Sequence, residues 1–148
     1  MVGGRVSHPC WPSASAQVKA FVDKNVLVRH LTGDPPDQAG AATRFLQVAE
    51  KLYLPDLVLA EVIYVLESYY RVERAEVATF ARAVVAFPSI VVIDDALLFR
   101  AIELYDVERL DFAEAYLVAC AEISEVNAIA TFDRSVDRVP TVTRIEPR

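Results

Sequence analysis

Lys19-Ala-Phe-Val-Asp-Lys-Asn25 reads as a short, buried apolar strand that ends at once in polar residues. Open α/β sheets place their sites along the carboxyl edge of the strands, so Asp23 and Asn25 stand where chemistry is expected. Downstream, Gly33-Asp-Pro-Pro36 breaks the chain, and Asp37 opens an amphipathic helix with Ala41, Ala42, Phe45, Leu46 and Ala49 near helical spacing. Tyr53-Leu-Pro55 predicts a short extended piece, and Asp56 is placed to cap a broadly buried helix carrying Val58, Leu59, Val62, Ile63, Val65, Leu66 and Tyr69. A helix over 73–87 is stopped by Pro88, and Ile90-Val-Val-Ile93 is a β-branched run typical of a central parallel strand. Asp94 and Asp95 offer an N-cap for a helix over 96–105, and Asp111 heads another through Ile123. Ala128-Ile-Ala-Thr131 and Val142-Thr-Arg144 supply the last strands. This alternation predicts an α/β fold with a mostly parallel sheet.

Composition sets the limits within which that fold acts. The chain has 148 residues, 54% of them hydrophobic and 24% charged, which suits one globular domain rather than a disordered chain. Residues 1–17 read as a disordered leader or added extension, which leaves 18–148 as a single domain. No apolar run approaches the roughly 18 residues that cross a bilayer. The two cysteines, Cys10 and Cys120, have neither disulfide nor zinc spacing, so a reducing cytoplasm is the expected compartment. A net charge of −6 argues against a generally basic nucleic-acid surface. Carboxylates that hold a divalent cation escape that argument, because the ion presents positive charge to phosphate.

The placement of particular acids carries most of the functional information. Asp23 closes the first strand, Glu61 sits within Leu59-Ala-Glu-Val-Ile63, Asp111 and Glu114 open a helix three residues apart, and Asp133 follows the strand Ala128-Ile-Ala-Thr131. Glu61 has apolar residues on either side, and a carboxylate buried among them must be neutralised, paired or metal-bound. Asp111 and Glu114 lie on one side of their helix. Convergence of these elements would put several like charges in one pocket, and Mg²⁺ or Mn²⁺ is the hard-ligand compensation. Each acid also has a structural alternative: a helix cap for Asp23 and Asp111, a helix-surface acid or a buried ion pair with a nearby arginine for Glu61, a favourable dipole position for Glu114, and a turn for Asp133. His30 and His8 have no neighbours at zinc-ligand spacing, and there is no Gly-rich phosphate loop.

Four stretches taken together resemble a known family. Phe21-Val-Asp-Lys-Asn-Val-Leu-Val28, Leu59-Ala-Glu-Val-Ile63, Leu110-Asp-Phe-Ala-Glu-Ala115 and Thr131-Phe-Asp-Arg134 are similar, in order, to the four acidic motifs of PIN-domain nucleases, above all the VapC-type toxins. The resemblance runs from about Val18 to the C-terminus. It implies a three-layer α/β/α fold and a Mg²⁺- or Mn²⁺-dependent endoribonuclease acting on RNA. It also implies a homodimer and inhibition by a cognate VapB-type antitoxin whose C-terminal segment covers the site. Asp23, Glu61, Glu114 and Asp133 match the acidic quartet that binds metal and carries catalysis. Asn25 matches its polar partner, and Asp111 matches an additional acid, a further possible metal ligand.

Two departures from the family pattern stand out. Lys24 occupies a position usually held by Thr or Ser, and Glu114 one usually held by Asp. A lysine beside Asp23 favours the ionised carboxylate but repels divalent metal; the alternative is a side chain that snorkels to solvent. The competing functional reading is accordingly a catalytically impaired PIN-like module that binds RNA or protein, with Lys24 in place of metal charge. A metal-dependent phosphatase is a third reading, which a small phosphomonoester would separate from structured RNA.

Overall fold

The computed structural model describes residues 18–148. The leader, with Cys10 and His8, lies outside the described residues. Three parallel strands form one sheet in the order β1 (Lys19–Phe21), β2 (Lys51–Tyr53), β3 (Ile90–Val91). Ala20 faces Leu52, and Leu52 faces Ile90. A second parallel pair joins β4 (Ala128–Ala130) to β5 (Thr143–Ile145). Parallel neighbours need a crossover, and helices supply it. α1 (Lys24–Thr32) and α2 (Pro36–Val48) lie between β1 and β2, and α3 (Asp56–Ser68) and α4 (Arg74–Val85) lie between β2 and β3. α5 (Asp95–Val107) and α6 (Phe112–Ser124) precede β4, and a 3₁₀ turn, Arg134–Arg138, leads towards β5. Helices and parallel strands together make the α/β fold expected from the sequence, consistent with three layers.

Local chemistry sets the boundaries of these elements. α1 ends where Gly33 takes φ 72, a left-handed conformation open to glycine at low cost, and its N–H bonds back to the Arg29 carbonyl. Asp94 caps α5 by accepting from the Leu97 amide at 3.0 Å, as the sequence suggested. Asp56 does not cap α3: Pro55 occupies that position, and the Asp56 carboxylate turns instead to another helix.

Two other expectations need correction. The β-branched run at 90–93 gives only a two-residue strand at one end of the three-stranded order, with Ile93 91% exposed. The centre belongs to β2, whose Leu52 is fully buried. β1 is not buried throughout either, since Phe21 is 77% exposed at its end. Strand side chains alternate between faces, so a continuous apolar run does not guarantee burial on both.

α3 is the helix around which much of the core gathers. Leu59, Val62, Ile63 and Leu66 are buried, whereas Leu57, Glu61, Tyr64 and Tyr69 look outward. Arg74, at the start of α4, donates to the carbonyls of Tyr105 and Leu110 at 2.7 and 2.6 Å, and its guanidinium lies 4.4 Å from the centre of the Tyr105 ring. Buried Ser89 donates to the Leu46 carbonyl at 2.8 Å. Truncating Leu59 to alanine removes buried methyls from this packing, so Leu59→Ala is expected to lower the unfolding free energy by about 2–5 kcal/mol in a urea titration. The exposed neighbour Tyr64→Ala should change it by less than about 1 kcal/mol.

Candidate active site

Val22 binds the end of β1 to β2 through its amide, 3.0 Å from the Tyr53 carbonyl, and Asp23 leaves the sheet directly after it. Asp23 keeps an extended backbone and caps α1, its Oδ2 accepting from the Asn25 amide at 3.2 Å. The capping alternative is thus realised, while the second carboxylate oxygen has no protein donor among the described residues. Asn25 meets Asp23 through its backbone N–H and not its side chain.

Lys24 is the first residue of α1, and its Nζ reaches Glu61 Oε2 at 3.4 Å. Two expectations change here. Glu61 is exposed, with 46% of its side chain accessible, and is not enclosed by its apolar sequence neighbours. A helix turns about 100° per residue, so Leu59, Val62 and Ile63 face the core while Glu61 faces away. Lys24, expected beside Asp23, is directed to the acid of another helix. An ion pair this exposed contributes no more than about 1 kcal/mol.

The other acids are more tightly organised. Asp111 caps α6, accepting from the Glu114 amide at 2.8 Å. Asp133 follows β4, and its amide donates to Thr131 Oγ1 at 3.0 Å. The Ser135 amide donates to Asp133 Oδ1 at 2.8 Å, and the Ser135 hydroxyl donates to Glu114 Oε2 at 3.0 Å. Ser135 thus brings the Glu114 and Asp133 carboxyl groups close enough to influence each other's ionisation.

Partial burial, first, and then the adjoining Asp133 carboxyl and the charge of Asp111 push the Glu114 carboxyl up to about 7. The adjoining Glu114 carboxyl, first, and then the Ser135 amide and hydroxyl hold Asp133 down to about 2. Between these two values the pair as a whole holds one proton.

Ser135 was not singled out from the sequence, although it stands two residues after Asp133 in a stretch read as a turn. Such a serine can return both its amide and its hydroxyl to nearby carboxylates. Asp56 is a second unrecognised contact: its Oδ2 accepts from the Tyr116 hydroxyl of α6 at 2.5 Å.

The acids fall into two connected groups. Asp23, Lys24 and Glu61 lie together at the starts and flanks of α1 and α3, and Asp111, Glu114, Asp133 and Ser135 at the start of α6 and the end of β4. Among the described residues, no three Asp, Glu, His or Cys side chains are gathered closely enough to hold a metal ion on their own. The Glu114–Asp133 pair nevertheless fits a hard divalent ion of the Mg²⁺ type. Such an ion takes one or two carboxylates and fills its remaining positions with water and substrate phosphate.

The family model of the PIN domain matches residues 20–142, and the chain belongs to that family. Among curated proteins, none matches it. PIN domains are generally nucleases that bind RNA and use divalent metals. No helix among the described residues is long and apolar enough to cross a membrane.

The carboxyl pair makes stability depend on pH. Folded Glu114 retains its proton up to about 7, whereas an unfolded glutamate releases it near 4.5. Between those values the native state binds more protons than the unfolded state, so stability falls as pH rises. Asp133 acts oppositely in its own window, adding stability as pH rises from about 2 towards 3.8. In chelator, the melting temperature should fall from pH 4.5 to 7, and Glu114→Gln should flatten that slope. An equal slope in both proteins would remove Glu114 as its source.

Proposed function

We propose that this chain is a Mg²⁺- or Mn²⁺-dependent endoribonuclease, the toxin of a VapBC-type pair, acting through Asp23, Glu61, Glu114 and Asp133. The observation that carries the reading is the joining of Glu114 and Asp133 by Ser135, whose hydroxyl donates to one carboxylate and whose amide donates to the other, at the end of a parallel strand in a PIN-family chain. The domain unit for this activity is residues 18–148.

A bound divalent ion supplies positive charge for the scissile phosphate and the leaving oxygen. Glu114 and Asp133 would hold the ion as carboxylates, Glu114 releasing its proton to solvent. Ser135 keeps both carboxylates oriented through its amide and hydroxyl. Asp111 adds negative charge beside the pair while capping α6. Asp23 offers its uncommitted oxygen from the first strand, and Glu61 is available once Lys24 releases it. Arg134, exposed immediately after Asp133, is placed to meet an RNA phosphate.

A groove of about 680 Å³ between α1 and α2 supports control by an antitoxin. It begins at Asn25, has Val26, Ala42 and Phe45 on its walls, and carries Arg29 and Arg44. A partner segment lying there would end beside Asp23. Homodimerisation belongs to the same reading through the family resemblance, and a cytoplasmic location through two cysteines without disulfide spacing.

One observation favours the second reading, a binding module with impaired catalysis: the Lys24–Glu61 contact occupies an acid of the quartet. Cleavage of structured RNA with Mn²⁺ and with chelator separates the two, with a phosphomonoester as the control for a phosphatase. Glu114→Gln and Asp133→Asn are each expected to lower cleavage at least a hundredfold while retaining the parent's circular dichroism. Chelator-resistant cleavage at the parental rate would refute the metal site.

Lys24→Thr frees Glu61 and removes a cation near the proposed ion. Calorimetric titration should show tighter Mn²⁺ binding, and cleavage at limiting metal should be faster. Equal affinity would mark Lys24 as a bystander, and weaker binding would show that it helps assemble the site.

A further inference from the structure

We propose that an aromatic ladder, Tyr105–Phe112–Tyr116, clasps α3 at both ends and so sets the separation between Glu61 and Glu114, which makes Tyr105, Tyr116, Asp56 and Glu67 positioning residues. The inference rests on the nuclease reading for its functional consequence, though not for its geometry. Tyr105 on α5 and Phe112 on α6 have ring centres 6.3 Å apart at 69°, and Phe112 and Tyr116 are 6.3 Å apart at 38°.

Both terminal hydroxyls end on α3. Tyr105 Oη donates to Glu67 Oε2 at 2.5 Å, and Tyr116 Oη donates to Asp56 Oδ2 at 2.5 Å. Asp56 is the first residue of α3 and Glu67 the last but one, with Glu61 between them. Glu114 lies on α6 between Phe112 and Tyr116. The clasp thus brackets one acid of each group, and α3 cannot slide along the packed α5–α6 pair without breaking its bond to Tyr105 on α5 or to Tyr116 on α6.

Three further features tighten it. Arg74 seats the Tyr105 ring from below its plane and donates to the Tyr105 and Leu110 carbonyls on either side of the α5–α6 turn. Asp56 Oδ1 is buried without a hydrogen-bond partner, so the Tyr116 hydroxyl is the donor that keeps this carboxylate in place. Burial and the Glu67 hydrogen bond raise Tyr105, and the Asp56 hydrogen bond and burial raise Tyr116, so both phenols remain protonated donors at working pH.

Tyr116→Phe alone would strand a buried carboxylate and destabilise the fold, which mixes structural and positional effects. The pair Asp56→Leu with Tyr116→Phe removes both polar partners and should melt near the parent. The full chain, with Cys10→Ser and with Cys120→Ser to keep a hydrogen-bonding group beside Tyr116, takes nitroxide labels at the exposed positions Tyr64→Cys on α3 and Leu117→Cys on α6. The interlabel distance should be narrow in the parent and shifted or broadened in the pair variant. RNA cleavage should lose roughly ten- to a hundredfold in kcat, the scale of an ångström-level misplacement, with KM within about twofold. Asp56→Asn keeps an acceptor for Tyr116 and should restore both readouts.

An unchanged distance in the pair variant overturns the clasp, and so does an altered distance with unchanged kcat. If the parent cleaves no RNA, the nuclease reading fails by itself, and the distance measurement then decides the clasp.

Discussion

Two carboxyl groups close enough to influence each other's ionisation cannot both carry full charge without a compensating cation or a shared proton. Glu114 and Asp133 live under that constraint, and their surroundings are arranged around it. Ser135 turns an amide towards one and a hydroxyl towards the other, which holds the two carboxyl planes in a fixed relation. With the proton present the pair carries one negative charge rather than two. Without it, the negative charge at this point, increased by Asp111, is an electrostatic demand that a hard cation meets. In the proposed reading, an ion bound at this pair would displace that proton.

The scaffold delivers these groups by using the ends of secondary structure. Asp23, Asp111 and Asp133 each cap the helix or turn that follows, so the oxygen that accepts an amide also fixes the direction of the other. Helix capping and ligand placement do not compete here. A carboxylate has two oxygens, and one backbone bond leaves the second free while restricting its motion.

α3 joins the two acidic groups. Its inner face is part of the core, its outer face presents Glu61 to Lys24, and its two ends meet tyrosines from α5 and α6. The Lys24–Glu61 contact is exposed and weak, so it restrains the helix little, whereas the partly buried phenol–carboxylate bonds are short and directional. Order at the site therefore comes mainly from behind, through the core, and less from the ion pair at its surface.

Much was legible in the sequence because it depends on local rules. Strand-to-acid transitions at Asp23 and Asp133, caps at Asp94 and Asp111, the chain break at Gly33 and the α/β alternation follow from residue chemistry within a few positions, whereas the helix α1 that ends at Gly33 was not read from it. The four acidic motifs likewise named the family before any contact was known. Tertiary structure alone decided the rest, because it turns on which way a face points and what lies opposite. Glu61 lost its supposed burial when α3 presented the other side to the core, and Ile90–Val91 proved to be an end strand because β2 pairs on both sides. Lys24 found Glu61 37 residues away, and Ser135 found Glu114 across 21. Composition and periodicity determine which elements form, but pairing across such separations is set by how those elements dock, which no window of neighbouring residues encodes.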